Sequence, residues 1–279
     1  NTTGSYNTAL GAASLGVNTT AANNTAVGYA ALTANTTGTQ NVAVGSLALD
    51  ANTEGDNNVS LGYGSLTANT TADNNVAIGR TALEANTTGA GNVAVGKDAL
   101  IANTTASNNV AVGMDALTAN TTAANNVAVG ANALKANTTG TRNTAVGMNA
   151  ADAITTGNDN TAMGQGALGA TTTASNNTAV GVSALTANTT GANNVAVGMD
   201  TLQANTTTPA VVAVGWAAGY SKTTGGSSFA QTYVGTKAGY SNQTGVDNTY
   251  IGGYSGFTST GSYNTALGSG SLYSNTTAS

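Results

Sequence analysis

One block of seventeen residues recurs along the whole chain, and this repeat limits the possible folds more than any other feature. Its pattern is approximately N-N-V-A-V-G-x-x-A-L-x-A-N-T-T-A-x, and the glycine that closes V-A-V-G serves as the marker of each copy. Thirteen markers lie seventeen residues apart, and three more follow after steps of twenty, seventeen and sixteen residues. The markers are Gly11, Gly28, Gly45, Gly62, Gly79, Gly96, Gly113, Gly130, Gly147, Gly164, Gly181, Gly198, Gly215, Gly235, Gly252 and Gly268. Such regularity predicts an architecture in which each repeat packs on its neighbours.

Positions within a repeat are counted here from the marker glycine, so that position −1 precedes it and position +4 lies four residues after it. Position −1 is apolar in every copy, position −2 is Ala in thirteen copies, and position −4 is Asn in fourteen. Position +4 is Leu in most copies. Low charge and abundant Asn, Thr, Ala and Gly would otherwise suggest disorder, but such regular apolar positions argue against it.

The V-A-V segment is a short β-branched run between Asn and Gly, which predicts a strand of three to four residues. We expect a second short element at A-L-x-A, after which N-T-T-G or N-T-T-A turns the chain back. This second element is too short to form a stable helix. Seventeen residues fit one coil of a β-solenoid, in which successive coils stack at ~4.8 Å. We therefore predict an all-β fold, a parallel β-solenoid of about sixteen coils and roughly 75 Å in length.

Stacking of the coils would align equivalent residues in columns. The Val and Leu columns are expected to form the core. Asn at position −4 predicts one amide ladder, and Asn at position +7 predicts a second. The marker glycine is expected at a corner, either with a positive φ or where the backbone passes close to the next coil.

The strand itself has two apolar faces, because the two Val point one way and the Ala points the other. One interpretation is a wall shared between subunits, where the small Ala permits a close approach. The alternative is an Ala that is tolerated on an exposed face.

Composition excludes several classes of function. Of 279 residues, 6 are basic and 11 acidic, and the chain contains neither His nor Cys. The commonest general base, nucleophile and soft metal ligands are therefore missing. The acidic balance argues against nucleic-acid binding, and no apolar run is long enough for a membrane helix. We predict that the chain is not an enzyme, with no catalytic, cofactor-binding or metal-binding residues and no membrane insertion in this segment.

Three weaker patterns each have a plainer explanation. Asp98 and Asp115 occupy equivalent positions in adjacent coils, ~5 Å apart, and could hold a cation, but two solvated acids explain them better. N-T-T is a glycosylation sequon, although a turn and ladder account for it as well. Paired threonines such as Thr36 and Thr37 raise the possibility of ice binding, yet alternation would send adjacent side chains to opposite sides.

The repeats divide into two ranges. Residues 1–215 form regular seventeen-residue repeats, and residues 216–279 are expected to continue the solenoid with an insertion and coils richer in aromatic residues. The repeat is interrupted at Trp216–Gln231, which contains three extra residues. This segment holds the glycine pair Gly225 and Gly226 and the aromatic residues Trp216, Tyr220 and Phe229. Further aromatic residues follow it, namely Tyr233, Tyr240, Tyr250, Tyr254 and Phe257. This section is either a wider end of the solenoid or an exposed aromatic patch that binds a glycan or a protein.

Both ends of the sequence fall within a repeat. Thr3–Gly11 and Thr260–Gly268 both read T-G-S-Y-N-T-A-L-G, and neither end has the polar cap that a solenoid needs. The expectation is either a segment of a longer protein or a subunit that joins others end to end.

The strands with their preceding Asn, as in Asn75–Gly79 and Asn92–Gly96, resemble the head repeats of YadA-like trimeric autotransporter adhesins. The fuller pattern at Asn24–Gly38 and Asn264–Thr277 is similar to repeats of bacterial and phage tail-fibre-type proteins, and so is the A-G-Y-S variant at Ala218–Ser221. The resemblance implies a left-handed parallel β-roll whose three copies associate side by side.

These observations together predict a non-enzymatic structural protein, the shaft of a fibre or the head of an adhesin, located outside the cell or on a virion. It would provide a stiff rod for surface attachment, as a homotrimer, with a cell-surface glycan or protein as a possible receptor. The alternatives are an ice-binding β-solenoid and a self-assembling extracellular filament subunit joined end to end.

Overall fold

The computed structural model describes residues 3–223 and 230–275. Gly225, Gly226 and Phe229 of the insertion, and Thr277 near the end of the sequence, lie outside the described residues. All regular elements among the described residues are β-strands. The chain divides into two compact units, Asn1–Thr139 and Gly140–Ser279, called unit 1 and unit 2 below.

Unit 1 is a parallel stack in which each repeat contributes one strand of three residues. Consecutive strands pair in register, so that Val93 lies opposite Val110 and the residue seventeen positions later is always the partner. The strands are β1 (Thr8–Leu10), β2 (Thr25–Val27), β3 (Val42–Val44), β4 (Val59–Leu61), β5 (Val76–Ile78), β6 (Val93–Val95), β7 (Val110–Val112) and β8 (Val127–Val129).

Unit 2 has the same construction. Its strands also pair consecutively and in parallel, and the pairing of Val212 with Thr232 carries the register across the longer step between the Gly215 and Gly235 coils. The strands are β9 (Thr144–Val146), β10 (Thr161–Met163), β11 (Thr178–Val180), β12 (Val195–Val197), β13 (Val211–Val214), β14 (Gln231–Val234), β15 (Thr249–Ile251) and β16 (Thr265–Leu267). The two units together contain sixteen coils, which confirms the predicted parallel β-solenoid and its repeat length.

The remainder of each coil is made of turns, and the second extended element expected at A-L-x-A is not formed. The chain instead reverses through left-handed residues at positions +2 and +4, for example Ala30 with φ 55° and Leu32 with φ 52°. Left-handed residues separated by ordinary ones bend a chain sharply, but they are costly for residues other than glycine. A-L-x-A contains no glycine, so its sequence gives no sign of this conformation.

The marker glycine satisfies both predicted requirements at once. Gly113 has φ 138°, and a Cβ added to it would lie 2.5 Å from the carbonyl oxygen of Gly130 in the next coil. Only glycine permits this combination of a positive φ and a close backbone approach.

The core of each coil consists of Ala at positions −2 and +3 and Leu at position +4. In the Gly96 coil, Ala94, Ala99 and Leu100 are completely buried, whereas Val93 and Val95 on either side of Ala94 are half-exposed. The expected Leu column is confirmed, but the expectation that the Val column lies in the core is wrong. Side chains alternate along a strand, so with the central Ala94 pointing inward the two Val beside it point outward.

Two ladders of Asn side chains run along the stack and form hydrogen bonds within and between coils. At position +7, the Nδ2 of Asn52 donates to the Oδ1 of Asn35 at 2.9 Å and to the carbonyl of Gly55 in its own coil at 3.0 Å. At position −4, the Nδ2 of Asn41 donates to the same Gly55 carbonyl at 2.8 Å. One carbonyl thus accepts from both ladders, and these buried amides obtain the partners they require.

The ladder at position −4 differs from the expected amide-to-amide chain. The Oδ1 of Asn24 accepts the backbone N–H of Asn41 at 2.9 Å, and the same bond recurs from Asn41 to Asn58. Each side chain therefore connects the backbones of two coils. At position +7 the side chains bond directly to each other over consecutive coils, through Asn86 and Asn103 to Asn120. In unit 2 the position −4 amides add such direct bonds, from Asn160 to Asn143 at 3.1 Å and from Asn177 to Asn160 at 3.2 Å.

Candidate interaction surface

The outward side chains of the unit 1 strands form an apolar surface, called here the outer strand face. Its members are the aliphatic residues at positions −3 and −1 of β3 to β8, and all of them are half-exposed or exposed. They are Val42, Val44, Val59, Leu61, Val76, Ile78, Val93, Val95, Val110, Val112, Val127 and Val129. This strand face therefore presents two aliphatic columns that repeat at one strand spacing, ~4.8 Å.

The corresponding face of unit 2 has a different composition. Position −3 is Thr in β9, β10 and β11, and it is Thr again from β14 onward, while position −1 stays aliphatic, as in Met163 and Ile251. In all sixteen repeats, none of the three residues before the marker glycine is charged. An uncharged face that remains in contact with solvent is the kind of surface that marks an interaction site.

Position +1 extends the apolar surface past the glycine in many coils. Tyr29 is 62% exposed, Met114 is 50% exposed, and Trp216 is 44% exposed. The residue type at this position varies from copy to copy. The apolar strip is broken at Arg80 and Lys97, which occupy position +1 in two adjacent coils.

The aromatic residues of unit 2 form columns along the stack. Tyr220, Tyr240, Phe257 and Tyr273, all at position +5, stack with successive ring centroids 5.0, 5.2 and 5.0 Å apart. Because the rings cover one another, mainly their edges are left to face solvent. The Nζ of Lys237 lies 4.6 Å from the centre of the Trp216 ring, a favourable cation–π contact.

Two tyrosines lie inside the coils. Tyr233 and Tyr250 replace Ala at position −2, are fully buried, and stack with ring centroids 5.8 Å apart. Position +4 is glycine in the same coils, at Gly239 and Gly256, and a Cβ on Gly239 would lie 2.5 Å from the Cδ1 of Tyr233. Tyr and Gly therefore replace the Ala and Leu of the regular coils and fill a similar volume.

A buried lysine takes the place of Asn in the position +7 ladder. Lys222 is completely buried, and its Nζ donates to the carbonyl of Gly245 at 2.8 Å. The Nε2 of Gln231 donates to the same carbonyl at 2.5 Å, and the Tyr233 hydroxyl donates to the Oε1 of Gln231. Burial lowers the pKa of Lys222 to about 8.

Asp98 and Asp115 are each paired with a lysine. The Nζ of Lys97 lies 2.6 Å from Asp98 Oδ2, and the Thr81 hydroxyl donates to the other oxygen. The hydrogen bond from Lys97 is the main reason why the pKa of Asp98 is lowered. Asp115 pairs with Lys135 at 3.3 Å. Among the described residues, no group of three or more His, Cys, Asp or Glu could hold a metal ion, and no pocket is found.

The N-T-T segments are tied into the coil. Asn86 is completely buried and its Nδ2 is hydrogen-bonded, so the nitrogen to which a glycan would be attached is inaccessible in the folded chain. The hydroxyl of Thr36 donates to the carbonyl of Thr53 in the next coil at 3.0 Å, whereas Thr37 is exposed. The two threonines thus differ in role, one bonded within the stack and the other facing solvent.

Comparison with known proteins gives no match to a family model, a curated protein or a solved structure. The resemblance to adhesin heads and tail fibres therefore stays a prediction. In the described ranges, no helix is long and apolar enough to span a membrane.

The sequence contains a signal for the outer strand face in the residue types at position −3. Position −3 is Val in eight copies and Thr in the other eight, while position −2 is Ala in thirteen of sixteen. A column that tolerates a hydroxyl is more consistent with an outward position, since a buried hydroxyl needs a partner. Lys222 could have been noted in the same way, because it interrupts a column of Asn.

Proposed function

We propose that this chain is a non-enzymatic structural element whose copies associate side by side through the strand faces, as a fibre shaft or adhesin head. The observation that supports it best is the outer strand face, an uncharged double column of aliphatic side chains that stays exposed in the single chain. Apolar area removed from water is worth roughly 25 cal/mol per Å², which favours covering such a face.

The periodicity of the face favours another copy of the chain as its partner. Its columns repeat at one strand spacing, ~4.8 Å, and a second solenoid presents ridges and grooves with the same spacing. Sheets that pack face to face lie ~10 Å apart with their side chains interdigitated. A globular partner would match this period at only one or two coils.

Closed symmetry sets the form of the assembly. Most oligomers of identical chains have closed point-group symmetry, with two-fold dimers the commonest class and three-fold rings a further one. Our proposal is three copies, the arrangement that the resemblance implies, outside the cell or on a virion. The Asn ladders would supply the stiffness, since they connect each coil to the next by hydrogen bonds.

The experiment is a measurement of native mass by light scattering or analytical ultracentrifugation. We expect about three times the chain mass of 26.9 kDa. The double variant Val93→Lys with Val110→Lys places two charges on the outer strand face and should yield single chains with an unchanged circular dichroism spectrum. The matched control, Thr105→Lys with Thr122→Lys, adds the same charges in the same coils at exposed positions of another face.

The result is interpreted by comparing the three proteins. Loss of association in the Val double variant but not in the Thr control supports the proposal. A wild-type chain that stays single at high concentration would refute it, and so would equal association of both double variants.

Ice binding is a second candidate, favoured by one observation. The exposed threonines at position +9, such as Thr37 and Thr88, form a regular column whose side chains face solvent. The neighbouring outward column at position +11 is mixed, with Asp56, Asp73 and Ala90 in successive coils. A thermal-hysteresis measurement tests whether the chain binds ice, since a true ice binder shows hysteresis at micromolar concentration.

A further inference from the structure

Near-identical coils create a problem of register. The coils marked by Gly96, Gly113 and Gly130 share the same strand sequence, buried Ala and Leu, and Asn at positions −4 and +7. A folding chain that skipped one coil and paired its neighbours would still form the same strand pairs and Asn ladders. Where side chains do not distinguish alternatives, strand register is weakly specified.

The Tyr233 coil is different because its core fits the Gly215 coil but not the regular coils that precede it, which have Leu or Ala at position +4. A Cβ on Gly219, in the preceding coil, would lie 2.7 Å from the Cδ2 of Tyr233. A Cβ on Gly239, in the same coil, would lie 2.5 Å from its Cδ1. The Tyr233 ring therefore occupies space left by glycines at position +4 of two successive coils.

Skipping the Gly215 coil would destroy this fit. The coil before it has Leu202 at position +4, so the Tyr233 ring would face a leucine in place of Gly219. Side chains added to a filled core force shifts of backbone and rotamers that are unfavourable. The correct neighbour is thus selected by shape.

Polar contacts distinguish the same pair of coils. Lys222 at position +7 of the Gly215 coil donates to the carbonyl of Gly245 in the next coil, and that carbonyl also accepts from Gln231. In unit 1 the equivalent carbonyl, that of Gly55, accepts from two Asn of its own coil, Asn41 and Asn52. Buried polar groups of this kind can fix register at a cost in stability.

We propose that Tyr233, Gly219 and Gly239, together with Lys222 and Gln231, form a register key that determines which coil stacks on which. The key acts during folding, when equivalent coils compete, and its cost is the burial of an ammonium group without an acidic partner. This role is independent of the proposed association of copies.

The chain has no cysteine, so engineered disulfides can report register directly. Val212→Cys with Thr232→Cys, the native probe, places thiols on residues that face each other in the native pairing. Val195→Cys with Thr232→Cys, the slip probe, places them two strands apart, because Val195 pairs with Val212. Two strand spacings separate the Cα atoms of residues 195 and 232 by ~9.6 Å. This distance exceeds the ~7 Å limit for the Cα atoms of a disulfide. Within a single chain, which intact mass identifies, the slip probe therefore closes only when the Gly215 coil is skipped.

Both probes are placed in the wild-type chain and in a reverted chain with Tyr233→Ala, Gly219→Leu and Gly239→Leu, which restores the regular core. Each protein is unfolded in guanidinium, refolded with oxidised glutathione, and analysed by intact mass. In the wild-type chain we expect the native probe to close and the slip probe to stay reduced. In the reverted chain, closure of the slip probe should rise about tenfold or more, the factor expected when overpacking no longer opposes the slip.

The control substitutes two residues outside the core of the same coils, the exposed Trp216→Ala with the half-buried Thr236→Ala, and should leave the slip probe reduced. Equal slip closure in the wild-type and reverted chains would overturn the proposal. If the reverted chain does not regain its circular dichroism spectrum, the single substitution Tyr233→Ala carries the same test, because it only removes atoms. Slip closure in that variant supports the key, and its absence overturns it.

Discussion

The strictest local requirement of the fold is the marker glycine, and Gly113→Ala tests it. The added Cβ would lie 2.5 Å from the oxygen and 2.6 Å from the carbon of Gly130, at a φ of 138°. A backbone region reserved for glycine costs about 1–3 kcal/mol for another residue. Because the obstructing atoms are backbone, relief requires a shift of the next coil, which adds a penalty of the order seen for overpacking, about 1–3 kcal/mol. We therefore expect unit 1 to lose roughly 2–6 kcal/mol of unfolding free energy.

Urea titration followed by far-ultraviolet circular dichroism measures this loss. The matched control is Gly64→Ala, in the same unit. Gly64 has φ 61°, and a Cβ there would meet only side-chain atoms at 3.5 Å or beyond. Ala13 and Ala30 occupy the equivalent position in other coils with similar φ, so we expect a change of at most about 1 kcal/mol. Equal destabilisation by the two substitutions would refute the argument that backbone approach reserves the marker position for glycine.

Two further predictions concern buried and outward residues. The pKa of Lys222 is about 8 in the folded chain against 10.5 for an ordinary lysine. Between these pH values the unfolded chain binds more protons than the folded chain. The unfolding free energy should therefore rise with pH, by up to about 3 kcal/mol. Lys222→Met should remove this rise in denaturant titrations at pH 7 to 10, and a rise that persists would show that another group causes it. Leu100→Ala should cost about 2–5 kcal/mol as a fully buried side chain, whereas Val112→Ala, half-exposed, should cost about 1 kcal/mol or less in single chains. An equal loss of unfolding free energy in the Leu100→Ala and Val112→Ala variants would indicate that both side chains lie in the core, contrary to the structure.

Most of the fold could be predicted from the periodicity of the sequence. The strand positions, the seventeen-residue coil and the columns of Asn follow from residue spacing, because a parallel stack places residues seventeen apart in contact. The buried state of Asn86 and Asn103 could be anticipated in the same way, since a ladder satisfies an amide along the whole stack.

Other features could not be read from spacing. The sequence did not show which of the Val93 and Ala94 side chains points inward, because both are apolar and alternation alone does not tell inside from outside. Leu100 adopts φ 52° within A-L-x-A, a conformation that its residue type does not favour and that the stack imposes. The fit of Tyr233 against Gly239 depends on three-dimensional proximity across the coil, so only the structure reveals it.

Distances between identical labels on different copies test the proposed assembly most directly. A nitroxide attached through Val93→Cys reports only on contacts between chains, because each chain has one label and no other cysteine. If copies pack through their strand faces at ~10 Å, dipolar spectroscopy should detect strong coupling at this position and weaker coupling for Thr105→Cys. Absence of coupling at position 93, or a shorter distance at position 105, would contradict the account.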